Sequence, residues 1–144
     1  SMHRVLVLGG SGFVGRALCE RLAQSHPSVR LLVPTRRNAH GQAVRPLPNV
    51  DLVTADVHDE ATLTRLATGS DAVVNLIAIL HGSEAAFERV HVALPRRIVA
   101  ACGAAGVRRL VHVSALGVAA DAPSRYLRSK AAGEAVFTGS GLDV

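Results

Sequence analysis

The chain has 144 residues, 49% of them apolar and 19% charged, which suits the core of one domain and argues against disorder. The net charge of +5 comes mostly from arginine, yet only 3% of residues are aromatic, with one tyrosine and no tryptophan. A base-stacking platform for nucleic acid cannot be built from that composition. No apolar run approaches the ~18 residues of a transmembrane span, and the seven histidines show no ligand-like spacing for a metal. Ser1 stands ahead of Met2, where a native start is expected, and the first strand then follows too soon for a signal peptide. Cys19 and Cys102 fall in helical patterns, so two buried free thiols and a cytoplasmic setting are expected.

The first element is Val5-Leu6-Val7-Leu8, a continuous branched run that suits a parallel strand buried on both faces. It leads straight into Gly9, Gly12 and Gly15, spaced G-x-x-G-x-x-G, and then into a helix ending near Ser25. Val14, Ala17, Leu18 and Leu22 share one face of that helix at 3.6-residue spacing. Gly9 lets the chain reverse, Gly12 leaves room for a phosphate, and Gly15 lets helix and strand pack closely. The free N–H groups of the helix start then face the pyrophosphate of a dinucleotide. Gly9, Ser11, Gly12, Phe13, Val14 and Gly15 are therefore candidate cofactor-binding residues. A mononucleotide phosphate loop is excluded, because Arg16-Ala17 follows Gly15 where Lys-Ser/Thr would be needed.

Val29 to Val33 reads as the second strand, with Pro34 leaving it. Its tip meets the adenine ribose in dinucleotide folds, where an acid bonds the 2′-hydroxyl and an arginine accommodates a 2′-phosphate. No Asp or Glu occurs between Glu20 and Asp51, while Arg36 and Arg37 stand at the tip. The expected cofactor is NADP(H) in preference to NAD(H). Residues 38–49 read as a loop and Val50 to Ala55 as a third strand, followed by Asp56-Val57. Asp59 is the expected N-cap of a helix that buries Leu63, Leu66 and Ala67 and stops at Gly69. Asp71 to Ala78 is another strand of the doubly buried kind. Strands alternating with short helices predict an α/β, doubly wound parallel sheet of the Rossmann type.

Residues 83–105 predict a helix with Phe87, Val90, Leu94, Ile98 and Cys102 inward, kinked or restarted at Pro95 and capped by Gly106. Leu110 to Ser114 is the fifth strand, Ala122 to Ser124 turns the chain, and Tyr126 to Phe137 is a further helix. Leu142-Asp143-Val144 reads as the opening of a sixth strand, so residues 1–144 are expected to form a dinucleotide-binding domain that is incomplete at its C-terminal end.

Tyr126 and Lys130 lie i, i+4 on one helix face, just after a strand ending in Ser114. A lysine ammonium beside a phenol favours the phenolate, which suits proton exchange with a carbonyl or hydroxyl while a nicotinamide exchanges hydride. The candidate catalytic residues are thus Tyr126, Lys130 and Ser114, with Lys130 also placed to hold the nicotinamide ribose.

With these motifs in order, the chain resembles the extended and atypical branches of the short-chain dehydrogenase/reductase superfamily. The glycine turn, Asp56-Val57, Asn75-Leu76-Ile77-Ala78 and Tyr126-x-x-x-Lys130 resemble its landmarks. Three further segments are similar to the atypical group that contains the NAD(P)H-binding peripheral subunit of respiratory complex I. They are Phe87 to Val92, Val113 to Gly117 and Tyr126 to Glu134. The resemblance implies that Asp56 and Val57 border the adenine and that Leu76, Ile77 and Ala78 line the cofactor. It also implies departures: His91 stands where extended enzymes usually have Asn, and Ala115 adjoins Ser114 at the expected position of the catalytic hydroxyl. Three functions follow from it. They are a cofactor-holding relative of the complex I subunit, an oxidoreductase or sugar-nucleotide epimerase/dehydratase, and an NADP(H)-sensing regulator. The corresponding partners are the dinucleotide, a small-molecule or quinone-related substrate and a protein partner, in the cytoplasm or peripherally at the inner face of a membrane.

Overall fold

A computed structural model describes residues 2–10, 12–36, 47–113 and 124–144. In chain order the elements are β1 (Arg4–Leu8), α1 (Phe13–Ser25), β2 (Arg30–Thr35), β3 (Val50–Thr54), α2 (Glu60–Ala67) and β4 (Ala72–Asn75). There follow α3 (Glu84–Glu88), a π-helical segment (Arg89–Ala93), α4 (Leu94–Ala105), β5 (Arg109–His112) and α5 (Arg125–Thr138). The strands form one parallel sheet in the order β3-β2-β1-β4-β5. That order reverses direction at β1, the switch point where ligands of such sheets collect.

β1 is buried on both sides, as its unbroken apolar run requires. Leu6 and Leu8 join Val73, Leu110 and residues of α2, α4 and α5 in one cluster. Val5 and Val7 join Leu31, Val33, Val74 and Cys19 of α1 in the other. The two layers of helix thus lie on opposite faces, giving the doubly wound fold the strand rhythm predicts. Both cysteines are free and buried, and burial pushes each thiol up to about 11.

Several boundaries differ from the sequence expectation for physical reasons. β2 runs through Pro34 to Thr35. The N–H groups of its even residues face β1, as the bond from Arg30 N–H to the His3 carbonyl shows, and pairing with β1 ends at Leu32. The missing donor of Pro34 falls where the β1 ladder stops, while the odd-numbered N–H groups carry the pairing with β3 on to Thr35. On α1 the inward face is Gly15, Leu18, Cys19 and Leu22, while Val14 is 56% exposed and Ala17 is exposed. The face is turned by one position because Gly15, and no larger residue, fits against the glycine turn.

The expected helix over 83–105 is continuous in path but changes type. Five residues, Arg89–Ala93, make a π turn before α4 restarts with Pro95 in its first turn. The helical path continues through the proline because the carbonyl one turn back, that of His91, is directed at Gly133 of the last helix instead of needing a donor from position 95. The wider turn also resets the buried face: Phe87, Leu94, Ile98 and Cys102 point inward as expected, but Val90 is half-buried and His91 and Val92 are buried in its stead. The caps at Asp59 and Gly106 stand where the sequence puts them, Asp59 accepting from the Thr62 N–H and Gly106 left-handed at φ +75°. Asp143 pairs in parallel with Arg109, the opening of a sixth strand.

Candidate functional site

The turn after β1 is built from backbone. Gly9 adopts φ +82°, which a side chain would strain, and its flank rests on Leu76 and Ile77, which leave β4. At Gly15 a Cβ would overlap the Gly9 carbonyl oxygen and the Cα of Gly10, so the close helix–strand contact predicted for it is present. Gly12 differs. Among the described residues a Cβ there would meet only the Gly9 oxygen, at 3.5 Å, so they leave the space before the turn open. Gly12 caps α1 with no side-chain hydrogen bond, and no acidic residue stands in the first turn. An uncapped, acid-free helix start opening onto free space fits the pyrophosphate of a dinucleotide.

The other candidates gather along the same edge of the sheet. Arg36 follows the tip of β2, Asp56 and Val57 follow β3, and Leu76, Ile77 and Ala78 follow β4. The Arg36 guanidinium lies 3.6 Å from the Asp56 carboxylate. That carboxylate is held below the usual range, mainly because it accepts the His58 N–H at 3.0 Å, with Arg36 adding to the effect. Beside them is a cleft of about 320 Å³ whose walls include Arg36, Val57, His58, Ile77 and Arg89. Its apolar lining and charged mouth suit an adenosine end. Ser11, Arg37 and Ser114 lie outside the described residues, as does Ala115.

At the far end of the edge, Tyr126 and Lys130 project from α5, started by a Ser124 cap that accepts the Leu127 N–H. Lys130 is only 4% exposed, and its Nζ donates to the Val113 carbonyl at the end of β5, 3.4 Å away. Burial lowers its pKa, and Glu134 works against that shift. The Tyr126 ring is half-buried, edge-on to His91 at 5.3 Å and to Phe87 at 6.4 Å between centroids.

His91, known from sequence only as a departure, proves to be a structural hub. It is 2% exposed. Its Nε2 accepts the Ile79 N–H at 3.0 Å, and its Nδ1 lies 2.8 Å from Ser129 Oγ, which itself donates to the Tyr126 carbonyl. Since Ser129 has spent its proton and Nε2 is an acceptor, the network assigns the proton to Nδ1. The ring is neutral, its pKa drawn down to about 4 by burial and then by the Lys130 charge. One turn on, Pro95 cannot donate to the His91 carbonyl, and that carbonyl faces Gly133 of α5 where a Cβ would otherwise sit. This is the geometry of a Cα–H···O contact between closely packed helices. Below, the buried Asn75 side chain donates to His112 Nδ1 at 3.3 Å and accepts the Ile77 N–H, tying β4 to β5. The His112 ring packs at a tilt of 46° against Phe137, with Nε2 4.0 Å from Glu134, and burial draws it too down to about 4. Sequence reasoning missed Ser129, His112, His58 and Arg89; the signal within reach was Pro95 in a helix opposite a glycine-bearing one.

A family model described as NAD(P)H-binding matches residues 9–144. The chain belongs to that family. It is 32% identical over 133 residues to the mitochondrial NADH dehydrogenase (ubiquinone) 1 alpha subcomplex subunit 9 of Mus musculus, a match covering 89% of this chain and 35% of that protein. It is 34% identical over 131 residues to the ceramide reductase of Caulobacter vibrioides, covering 90% of this chain and 40% of that one. Among solved structures, the dTDP-glucose 4,6-dehydratase of Streptomyces venezuelae with NAD bound superposes with a TM-score of 0.78 at 27% identity, over 92% of this chain and 50% of the other. The chain spans little more than a third of the length of these curated relatives. The kinship with the complex I subunit group and the short-chain dehydrogenase/reductase-like fold read from the sequence are both borne out. Among the described residues no helix is long and apolar enough to cross a membrane.

Proposed function

We propose that this NAD(P)H-binding domain prefers NADP(H) and holds it in the manner of a complex I peripheral subunit, as a bound cofactor more than as a turnover catalyst. The observation that carries the preference is Arg36 at the tip of β2, over the adenosine-sized cleft, where an NAD-specific domain would present a carboxylate. The backbone N–H groups of Phe13 and Val14 and the open face of Gly12 receive the pyrophosphate. Asp56 and Val57 border the adenine, Leu76 to Ala78 line the cofactor, and Lys130 reaches the nicotinamide ribose. Ser11 and Arg37 complete the set by sequence position. The bound cofactor supplies a hydride to donate or accept; the protein orients it. Calorimetric titration with NADPH and NADH tests this: NADPH binds more tightly, and Arg36→Ala together with Arg37→Ala erases the difference. Tighter NADH binding by the unaltered protein would overturn it.

The second function is carbonyl or hydroxyl chemistry on a small molecule, favoured by the reductases among the relatives and by Tyr126 and Lys130 sharing one face of α5. Here Tyr126 exchanges the proton, Lys130 supports it and Ser114 polarises the substrate. Tyr126→Phe separates the two: a catalyst loses roughly 100-fold or more in turnover with cofactor affinity unchanged, whereas a holder shows no turnover to lose. A ubiquinone-linked dehydrogenase subunit among the relatives supports testing a quinone-related substrate or a protein partner as well.

A further inference from the structure

We propose that Arg89, on the π-helical turn, is a second specificity-determining residue: Arg89 and Arg36 grip the 2′-phosphate of NADP(H) from opposite walls of one cleft. The inference rests on the NADP(H) preference proposed above and adds the residue that makes it selective.

The walls of the cleft come from two unrelated parts of the chain. Pro34, Thr35 and Arg36 arrive from β2, and Arg89 and Val90 arrive from the π turn. Between them Val57, Ile77 and Ile79 offer an apolar bed for a flat ring. Arg36 alone is a weak discriminator, because its guanidinium is shared with Asp56 at 3.6 Å and both side chains are more than half exposed. A phosphate monoester near pH 7 carries close to two negative charges, and one partly neutralised arginine does not match it. Arg89 supplies the missing charge. Among the described residues no carboxylate stands within ion-pair distance of it.

A second observation converges on the same point. His58 and Arg89 together form the ridge between this cleft and a neighbouring one of about 580 Å³, which Arg97 lines further along the helix. The His58 imidazole is held below its usual pKa by burial first and by Arg89 next, with Asp56 opposing and Arg36 and Arg97 contributing less. Arg36 and Arg97 each share one of the two clefts with His58, and Arg89 shares both. The π turn places it there: the segment begins at Arg89, and the same widened turn that buries His91 leaves Arg89 and Val90 on the cleft side.

The test uses 2′,5′-ADP and 5′-AMP alongside NADPH and NADH, titrated calorimetrically into the unaltered protein and into Arg89→Ala, Arg89→Gln, Arg36→Ala and Arg97→Ala. Far-ultraviolet circular dichroism and melting curves confirm that each variant is folded. Loss of a charge-assisted contact should weaken 2′,5′-ADP and NADPH by roughly 10-fold or more in both Arg89 variants, while 5′-AMP and NADH are unmoved. Arg97→Ala, which lines only the neighbouring cleft, should bind all four as the unaltered protein does. If Arg36→Ala collapses the NADPH/NADH ratio and neither Arg89 variant changes it, Arg36 acts alone and the proposal fails while the NADP(H) preference stands. If Arg97→Ala weakens NADPH as much as Arg89→Ala, a diffuse positive field is responsible and the proposal is overturned. If the unaltered protein fails to separate 2′,5′-ADP from 5′-AMP, the preference itself is wrong.

Discussion

The glycine turn at one end of the site and the His91–α5 junction at the other solve the same problem by different means. Both bring two elements closer than side chains allow, and both do it with a glycine, Gly15 against Gly9 and Gly10, Gly133 against the His91 carbonyl. At the turn, however, the three glycines lie within seven consecutive residues, and the working groups are backbone amides. At the junction the partners are 42 positions apart in number, and the working groups are side chains locked by one another: Ile79 to His91, His91 to Ser129, Ser129 to Tyr126. The difference teaches that the glycine turn depends on its glycines, whereas at the junction each side chain depends on the next.

The largest effect should come from breaking the junction. In Gly133→Ala the new methyl group has to displace the His91 carbonyl, so α5 must lift from the π turn, at a cost of about 3 kcal/mol or more. Urea unfolding reads this directly. Gly12→Val is its counterpart at the other end: among the described residues the Cβ meets only the Gly9 oxygen, at ordinary contact, so the fold should survive, but the methyls occupy the space proposed for a pyrophosphate. Stability near that of the unaltered protein with NADPH binding abolished is the expected pair of results. A well-folded Gly133→Ala, or a Gly12→Val that binds normally, would erase the contrast between the ends.

The same contrast explains what could be read from sequence. The turn was legible because its roles follow from local spacing: an apolar run, three glycines, a helix. The parallel, doubly wound class and the caps at Asp59 and Gly106 were legible for the same reason. The junction was not. Nothing near His91 in sequence announces Ile79, Ser129 or Gly133, and periodicity assumed 3.6 residues per turn through a segment that is π-helical, so Val90 was given the inward position that His91 and Val92 hold. Pro34 misled in a similar way, since whether its absent N–H matters depends on which neighbouring strand it faces.

An intermediate effect should appear on acidification. His91 and His112 are both neutral in the fold, held near 4 by burial, against about 6.5 in an unfolded chain. The unfolded state therefore binds more protons than the native state between those values, and stability falls as the pH drops through that window. The loss should approach about 1.4 kcal/mol per pH unit for each histidine and level off near pH ~4, where the native rings protonate too. The glycine turn contains no such group. Unfolding midpoints followed from about pH 7 to pH 4.5 should show the slope, and His112→Gln should make it shallower. A flat profile across that range would mean that both rings are already charged in the fold.

The smallest and most local change is Ser129→Ala. Ser129 Oγ stands between His91 and α5, 2.8 Å from Nδ1 and 2.9 Å from the Tyr126 carbonyl. Its removal leaves the Nδ1 proton buried without an acceptor, at a cost of about 1–3 kcal/mol. The ring cannot escape by moving the proton to Nε2, because the Ile79 N–H points at that nitrogen from 3.0 Å. The variant should therefore lose stability while His91 keeps its tautomer, and Ser129→Thr, which restores the hydroxyl, should recover most of the loss. Nitrogen NMR of the imidazole reads the tautomer independently of stability: Nδ1 protonated, Nε2 bare, in both the unaltered protein and the variant. Finding Nε2 protonated in either would show that Ile79 is not what fixes the ring, and the interlocked description of this end of the site would have to be abandoned.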